Sequence, residues 1–269
     1  VYGFPSPYKW EIEFVGFNEE DFHKDIHAYY VDEGRIRIKS ADLLKNRKDL
    51  LNTILHETVH GFNSKVFSEN VPNFWYDEGT AQYVSHQALD FLGYNTADLR
   101  EESLILVNSC KGIDFSFINT WSPSKSLQDK RKIDCGGRET DYLKLGQAYS
   151  YFVVSNLAER YGKDIFRKFN ENSKILEIGF SADYSILNNQ INYLLSKSAG
   201  EETTNFFYSA NFNVLKVSDS GSYFDSVITG KPIYTEKEDT NFLVVYFVLA
   251  LVAVIIVFFV LRKVKKMLK

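Results

Sequence analysis

The sequence H-E-T-V-H at residues 56–60 puts two histidines four positions apart, with a glutamate directly after the first. Residues four apart lie on the same face of an α-helix, so His56 and His60 can both reach one metal ion. Glu57 lies where a general base must stand to take a proton from metal-bound water. The pattern predicts a helix that carries a metal site, and it constrains the fold more than any other segment.

The residues around this motif favour a buried helix over a surface helix that carries two unrelated histidines. Apolar side chains recur with the spacing of a helix that is buried on one face, at Leu51, Ile54, Leu55, Val59 and Phe62. Gly61, directly after the second histidine, leaves room for close approach of another segment. We therefore predict one helix over residues 42–63.

A second motif, W-Y-D-E-G-T-A at residues 75–81, offers another acidic ligand. A structural zinc site usually has four protein ligands, whereas a catalytic site has three and leaves the fourth position to water. Glu78 completes such a set of three with His56 and His60. The combination predicts a zinc-dependent hydrolase, most readily a peptidase.

The pairing of H-E-T-V-H with W-Y-D-E-G-T-A-Q-Y resembles the gluzincin metallopeptidases, including the peptidase MA-like domains and the catalytic domain of M1-type aminopeptidases. In that family the glutamate before glycine in a W-x-x-E-G-x-A segment is the third zinc ligand, which corresponds to Glu78. Seventeen residues separate His60 from Glu78, close to the family's spacing. The resemblance covers about residues 30–200. It implies an α+β, zincin-like fold, mostly helical with a small N-terminal sheet, in which the two motifs face each other across Zn²⁺.

The resemblance also implies a donor that stabilises the oxyanion of the tetrahedral intermediate, often a Tyr or His from a later helix. The segment L-G-Q-A-Y-S-Y-F resembles the helix that follows the zinc motifs, and it makes Tyr149 and Tyr142 the candidates, with Tyr149 preferred. The expected catalytic residues are therefore Glu57 and Tyr149, beside the metal ligands His56, His60 and Glu78.

Three other features leave alternatives open. Asp77 either hydrogen-bonds a ligand histidine, as carboxylates near metal sites often do, or faces solvent. His23 and His27, also four apart, form either a second metal site or a solvated helix face. His86, two turns after Glu78, is either structural or a neighbour of the metal ligands.

The sequence R-I-R-I-K at residues 35–39 alternates charged and apolar side chains, which is typical of a half-buried strand. In zincins, a strand just before the active-site helix lies at the rim of the cleft and pairs with the extended substrate. The resemblance makes 35–39 a candidate for this edge strand. A further strand is expected near 10–17, a short helix at 21–30, and helices at 74–92, 142–161, 163–171, 183–197 and 201–209.

The C-terminal region predicts a membrane anchor. Residues 242–261 are twenty residues without a charge, and as a helix they would span about 30 Å, the thickness of a bilayer's hydrocarbon core. Five basic residues follow within 262–269 and mark the cytoplasmic side. We expect a zincin-like peptidase domain at 1–215 outside the cell membrane, a stalk at 216–241, a single-pass helix and a basic cytoplasmic tail. The alternative for the apolar run is a buried core helix.

Charge and cysteines fit this topology. Without the five basic residues of the tail, 26 Lys and Arg stand against 35 Asp and Glu, which argues against nucleic acid as a partner. Cys110 and Cys135 suit an oxidising exterior and bracket 24 polar, turn-rich residues. A disulfide there would contribute about 3 kcal/mol, and two free buried thiols are the alternative. The expected partners are a peptide or protein substrate and the membrane, with the oligomeric state left open.

The type of hydrolase is constrained by what the chain lacks. M1-type aminopeptidases carry a G-x-M-E-N segment that binds the free amine of the substrate, whereas the single Met of this chain is Met267. We therefore favour an endopeptidase or a peptidase-like protein. A non-catalytic surface binding or adhesion protein on a zincin scaffold and a zinc hydrolase of a non-peptide substrate remain alternatives. The intact Glu57 favours an enzyme, because a binding module needs no base there.

Overall fold

The computed structural model describes residues 6, 9–15, 28–31, 34–39, 46–67, 73–129, 131–176 and 178–217. The strands in these ranges are β1 (Glu11–Val15), β2 (Ala28–Tyr30), β3 (Arg35–Lys39), β4 (Lys132–Asp134) and β5 (Glu139–Asp141). The α-helices are α1 (Arg47–Val66), α2 (Phe74–Phe91), α3 (Ala97–Ser109), α4 (Pro123–Gln128), α5 (Tyr142–Tyr161), α6 (Ile165–Ile175), α7 (Tyr184–Ala199) and α8 (Thr204–Ser209). A 3-10 helix at Phe115–Thr120 lies between α3 and α4.

The described part is mostly helical, with a small sheet before the first helix. Within it, no helix has the length and apolar character needed to cross a membrane. The predicted stalk beyond residue 217, the span at 242–261 and the basic tail lie outside the described residues, and so do His23 and His27. Those expectations stay predictions.

Helix α1 carries the first motif. It begins after Asn46, whose side chain accepts a hydrogen bond from the backbone N–H of Lys48 at 2.8 Å and so satisfies one of the free donors of the first turn. Its start is thus five residues later than the predicted residue 42. Val59 is buried, as the apolar spacing predicted. The ring of Trp10 lies so close to Gly61 that a β-carbon there would collide with it, which explains the need for glycine.

The N-terminal sheet has the order β1-β3-β2, with β1 parallel and β2 antiparallel to β3. Ile36 and Ile38 on β3 are fully buried, so the predicted half-buried strand is confirmed. The expectation that 35–39 is an edge strand is wrong, because β3 pairs on both sides. Side-chain alternation indicates which face is buried but not which edge is paired. The strand next to α1 is instead β2, where a short helix was expected.

Helices α2 and α5 form the centre of the fold. A β-carbon on Gly79 would lie 2.5 Å from the carbonyl oxygen of Ser150, so the two helices approach at a distance that only glycine allows. Trp75 and Tyr76, at the start of α2, are almost fully buried among aromatic side chains of α6, α8 and the segment after α8. This packing fixes the first turn of α2, and with it Glu78.

A row of buried amides on α7 ties the surrounding loops to the core. We call Asn188, Asn189, Gln190 and Asn192 the carboxamide row; all four are buried. Their side chains bond the start of α2 and the segments around residues 119, 179–181, 203–204 and 215. The row bonds backbone N–H and C=O groups of irregular segments. These groups are not paired within a helix or a sheet, so the side-chain amides supply their hydrogen bonds.

Cys110 and Cys135 are joined by a disulfide, with their α-carbons 4.3 Å apart, which confirms the predicted pairing. The bond links the end of α3 to the hairpin formed by β4 and β5. That hairpin leads directly into α5, so the disulfide also fixes the entry to the central helix. The enclosed segment is more helical than its turn-rich sequence indicated, since it contains the 3-10 helix and α4.

Candidate metal site

The facing sides of α1 and α2 bring the two motifs together. On α1, Nε2 of His56 and Nε2 of His60 lie 3.0 Å apart, and the two rings are nearly perpendicular. Two imidazole nitrogens at this distance can share a single proton or direct their lone pairs at one cation. His56, Glu57 and His60 each offer one ligand atom within 4.8 Å of the others. A His-Glu-His group at metal-binding distance is therefore present.

Glu78 faces the two histidines from α2. Its Oε2 lies 3.4 Å from Nε2 of His56, and its Oε1 lies 3.9 Å from Nε2 of His60. Oε2 is buried and has no hydrogen-bond partner within the described part of the chain. A buried carboxylate oxygen without a partner is costly unless a ligand satisfies it. Together, the two nitrogens and this oxygen form a donor set that fits a metal ion.

The carboxylate of Glu57 lies near the histidine pair and also contacts the sheet. It is 8 % exposed, and its Oε2 accepts a hydrogen bond of 2.7 Å from the backbone N–H of Tyr30, on β2. Burial raises the pKa of Glu57 above its usual value, although the nearby His60 and His56 and the Tyr30 amide oppose the shift. A carboxyl with a raised pKa beside a metal site suits a proton carrier.

Asp77 contacts His60 and is buried, so it does not face solvent. Its Oδ2 lies 2.9 Å from Nδ1 of His60, and the side chain is buried. Burial lowers the pKa of His60, but the negative charges of Asp77, Glu78 and Glu57 outweigh this effect and raise it to about 10. The acidic groups around His60 therefore favour a positive charge at this point of the fold.

Asn63 is a residue of the site that the sequence did not reveal. It lies on α1 one turn after His60 and is 2 % exposed. Its Nδ2 donates to Oδ1 of Asp77 at 2.7 Å and to Oγ1 of Thr80 at 2.9 Å. The three-residue spacing from His60 was the available signal, since it places both side chains on one helix face.

The chain matches no protein family, no curated protein and no solved structure. The resemblance to gluzincins therefore rests on the two sequence motifs.

The contribution of α5 to the site is Gln147. Burial raises the pKa of Glu78, but the nearby His56 and His60 and the side chain of Gln147 together lower it below the usual value. Gln147 is half-buried. It thus lies beside the metal site on the third helix that surrounds it.

The structure does not bring Tyr149, the predicted oxyanion donor, to the metal site. Its hydroxyl donates to the carbonyl oxygen of Ala210 at 3.1 Å, and its ring stacks on Phe115 at a centroid distance of 4.1 Å. Tyr149 lies two residues after Gln147, or about 200° around the helix, so it points away from Glu78 into the core. The sequence placed the right helix near the site but gave the wrong face.

Tyr142, the second candidate, also lies away from the metal site. Its ring contacts Phe117 at a centroid distance of 5.3 Å, and the guanidinium of Arg131 lies 5.2 Å from its centre. This surface environment at the start of α5 explains an aromatic residue there without a catalytic role.

His86 is buried in a different environment. It is 4 % exposed, and its ring lies 5.2 Å from that of Tyr151. Burial, with the positive charge of Arg100, lowers the pKa of His86 to about 4, so the ring is neutral near pH 7. Of the two alternatives for His86, the packing favours a structural role.

Proposed function

We propose that this chain is a zinc-dependent peptidase in which His56, His60 and Glu78 hold Zn²⁺ and Glu57 is the general base. The observation that carries the proposal is the buried Oε2 of Glu78, which has no hydrogen-bond partner in the described residues and lies 3.4 Å from a histidine nitrogen. Three protein ligands leave one position open, as catalytic zinc sites do.

The donor set favours zinc over other divalent ions. Imidazole nitrogen and carboxylate oxygen are common ligands of Zn²⁺ in tetrahedral sites, whereas Mg²⁺ and Ca²⁺ prefer sites built from oxygen alone. When bound, zinc supplies Lewis-acid chemistry, since it acidifies a water and polarises a carbonyl. The two motifs resemble those of the gluzincins in residue type and spacing, which supports the same assignment.

Glu57 moves the proton in the proposed reaction. The backbone N–H of Tyr30 fixes Oε2 of its carboxylate at 2.7 Å, so the group is held in one orientation before substrate arrives. Glu57 accepts a proton from the attacking water and delivers it to the amine that leaves. Burial, which raises its pKa, makes the proton transfer favourable closer to neutral pH.

We propose further that the peptidase domain is tethered outside the cell membrane. The support lies in the sequence: twenty uncharged residues at 242–261 precede a basic segment. The disulfide between Cys110 and Cys135 agrees with an oxidising environment.

The test of the peptidase proposal combines metal content with cleavage. The full chain, purified in detergent, is assayed for bound metal by elemental analysis and for hydrolysis of a mixed peptide library. We expect one zinc ion per chain and cleavage that falls by roughly 10²- to 10⁴-fold in Glu57→Gln, the range for loss of a general base. Glu102→Gln, the same change at an exposed position of α3, is the matched control and should cleave like the parent.

The other outcomes separate the alternatives. One zinc per chain without cleavage by either protein would favour a binding protein on this scaffold or a hydrolase of another substrate. Cleavage that persists in Glu57→Gln would remove Glu57 from its role. Absence of bound metal, even after zinc is added, would overturn the proposal.

A further inference from the structure

We propose that Asn63 is a positioning residue of the metal site, which holds Asp77 in the orientation that fixes the ring of His60. This inference rests on the metal-binding part of the proposed function and not on its peptidase activity.

The first support is that each oxygen of Asp77 contacts a different side chain of α1. Oδ2 lies 2.9 Å from Nδ1 of His60, and Oδ1 accepts from Nδ2 of Asn63 at 2.7 Å. Asp77 is only 8 % exposed, so water has little access to its charge. A buried carboxylate needs donors to offset its desolvation, and here those donors also determine its rotation.

The second support is that the Asn63 amide can adopt only one orientation. The hydroxyl of Thr80 donates to the carbonyl oxygen of Tyr76 at 2.7 Å, so its single hydrogen is used. Oγ1 of Thr80 must therefore accept the hydrogen bond of 2.9 Å from Asn63. Since the nitrogen of the amide faces both Thr80 and Asp77, a rotated amide would place an oxygen against two acceptors.

The third support is that these hydrogen bonds connect α1 and α2, the two helices that carry the proposed metal ligands. Asn63 and His60 belong to α1, whereas Asp77 and Thr80 belong to α2, where Asp77 directly precedes Glu78. The bonds between Asn63 and α2 thus join the two helices one turn away from the metal ligands. They set the distance across which the histidines and Glu78 must meet.

The consequence for metal binding follows from the chemistry of imidazole. His60 presents Nε2 to His56 and Glu78, so a neutral His60 that binds a cation must carry its hydrogen on Nδ1. The carboxylate of Asp77, with its Oδ2 2.9 Å from Nδ1, favours a hydrogen at that nitrogen and so selects this tautomer. Loss of such a partner typically lowers metal affinity 10- to 100-fold. Asn63 acts on His60 only through Asp77. We therefore expect its loss to lower metal affinity by about tenfold, near the lower end of this range.

The experiment is a double-mutant cycle of zinc affinity, measured by competition with a chromophoric chelator. The proteins are the full parent chain, Asn63→Leu, Asp77→Ala and the double variant. We expect Asn63→Leu to weaken zinc binding about tenfold in the parent background and to have no further effect in the Asp77→Ala background. Unchanged affinity in Asn63→Leu, or an equal loss in both backgrounds, would overturn the proposal.

A matched control separates positioning from general destabilisation. Asn192→Leu removes an amide of the carboxamide row that is as deeply buried as Asn63. It should lower the melting temperature of the metal-free chain yet leave zinc affinity within twofold of the parent. If Asn63→Leu does not fold, Asn63→Ser, which is too short to reach Asp77, takes its place in the cycle.

A second measurement needs no metal, so its result does not depend on the proposed function. In the metal-free chain, the Nδ1–H proton of His60 should resonate at low field because Oδ2 of Asp77 lies 2.9 Å from this nitrogen. In Asn63→Leu it should move to higher field and broaden through exchange with water. Absence of zinc binding by the parent would sink the peptidase proposal, whereas an unchanged His60 resonance in Asn63→Leu would contradict the role of Asn63.

Discussion

The metal site and the carboxamide row are both buried and polar. They differ in the charge of their side chains and in whether their buried polar atoms have hydrogen-bond partners. The row on α7 uses neutral amides, and none of its buried oxygens or nitrogens lacks a partner within the described residues. The metal site uses ionisable groups, and the buried Oε2 of Glu78 has no such partner. Among the buried polar atoms of the described residues that lack a partner, it is the only carboxylate oxygen, and it lies 3.4 Å from Nε2 of His56, so the contrast with the row points to a ligand.

The largest expected effect concerns Glu78, in the metal site. Glu78→Gln removes the only negative charge among the three proposed ligands, and we expect zinc affinity to fall by at least about 100-fold, beyond the loss of an outer partner. The melting temperature of the metal-free chain should fall as well, because the lowered pKa of Glu78 shows that the fold stabilises its charge beside His56 and His60. Chelator competition and a thermal melt of the metal-free chain measure the two quantities. A lower melting temperature with zinc affinity unchanged would assign Glu78 to the fold and not to the metal.

The next largest effect concerns Asn188, in the carboxamide row. Oδ1 of Asn188 accepts hydrogen bonds from Nδ2 of Asn73 at 2.6 Å and Nε1 of Trp75 at 3.0 Å. Asn188→Ala leaves both donors buried without an acceptor, so the free energy of unfolding should fall by about 4 kcal/mol. Urea denaturation measures this loss, and zinc affinity should stay at the parent value. If the variant were as stable as the parent, the row would not have the structural role assigned to it.

The smallest effect concerns His86, a buried titratable group outside both regions. Above pH 6.5 its ring is neutral in the folded and unfolded chains, so it makes no pH-dependent contribution. As pH falls from 6.5 to about 4, the unfolded chain binds the proton first, because burial lowers the pKa of His86 to about 4 in the fold. Stability should therefore decrease by about 3 kcal/mol over this window.

Urea denaturation at pH 7 and pH 4.5, on the metal-free chain, checks this expectation. His86→Phe keeps a ring of similar shape against Tyr151 and should lose less stability between the two pH values than the parent. Equal losses in parent and variant would show that other groups carry the pH dependence.

The sequence predicted the parts of the site that depend on local spacing. His56, Glu57 and His60 lie within five residues on one helix, and periodicity alone placed them on α1. The bounds of α5 were predicted to the residue and those of α2 to within one. Pairing of Cys110 with Cys135 was also within reach, since the chain has only two cysteines.

The parts that failed depend on contacts between distant segments. Strand β2 has only three residues, too few for an alternating pattern, so its place beside α1 was not predictable. Tyr149 was placed on the correct helix, yet its direction depends on how α5 packs against Phe115 and Ala210. Helix α3 was missed altogether. Asn63 is a common polar residue whose role emerges only when α2 brings Asp77 to it.

The disulfide between Cys110 and Cys135 has a consequence for how the chain withstands proteolysis. It encloses the 3-10 helix and α4, together with the connecting turns. A protease that cuts once between residues 111 and 134 leaves two fragments, one with α1 and α2 and the other with α5. The sulfur bridge keeps the fragments in a single covalent molecule, so one such cut does not separate the metal ligands from the helix that supports them.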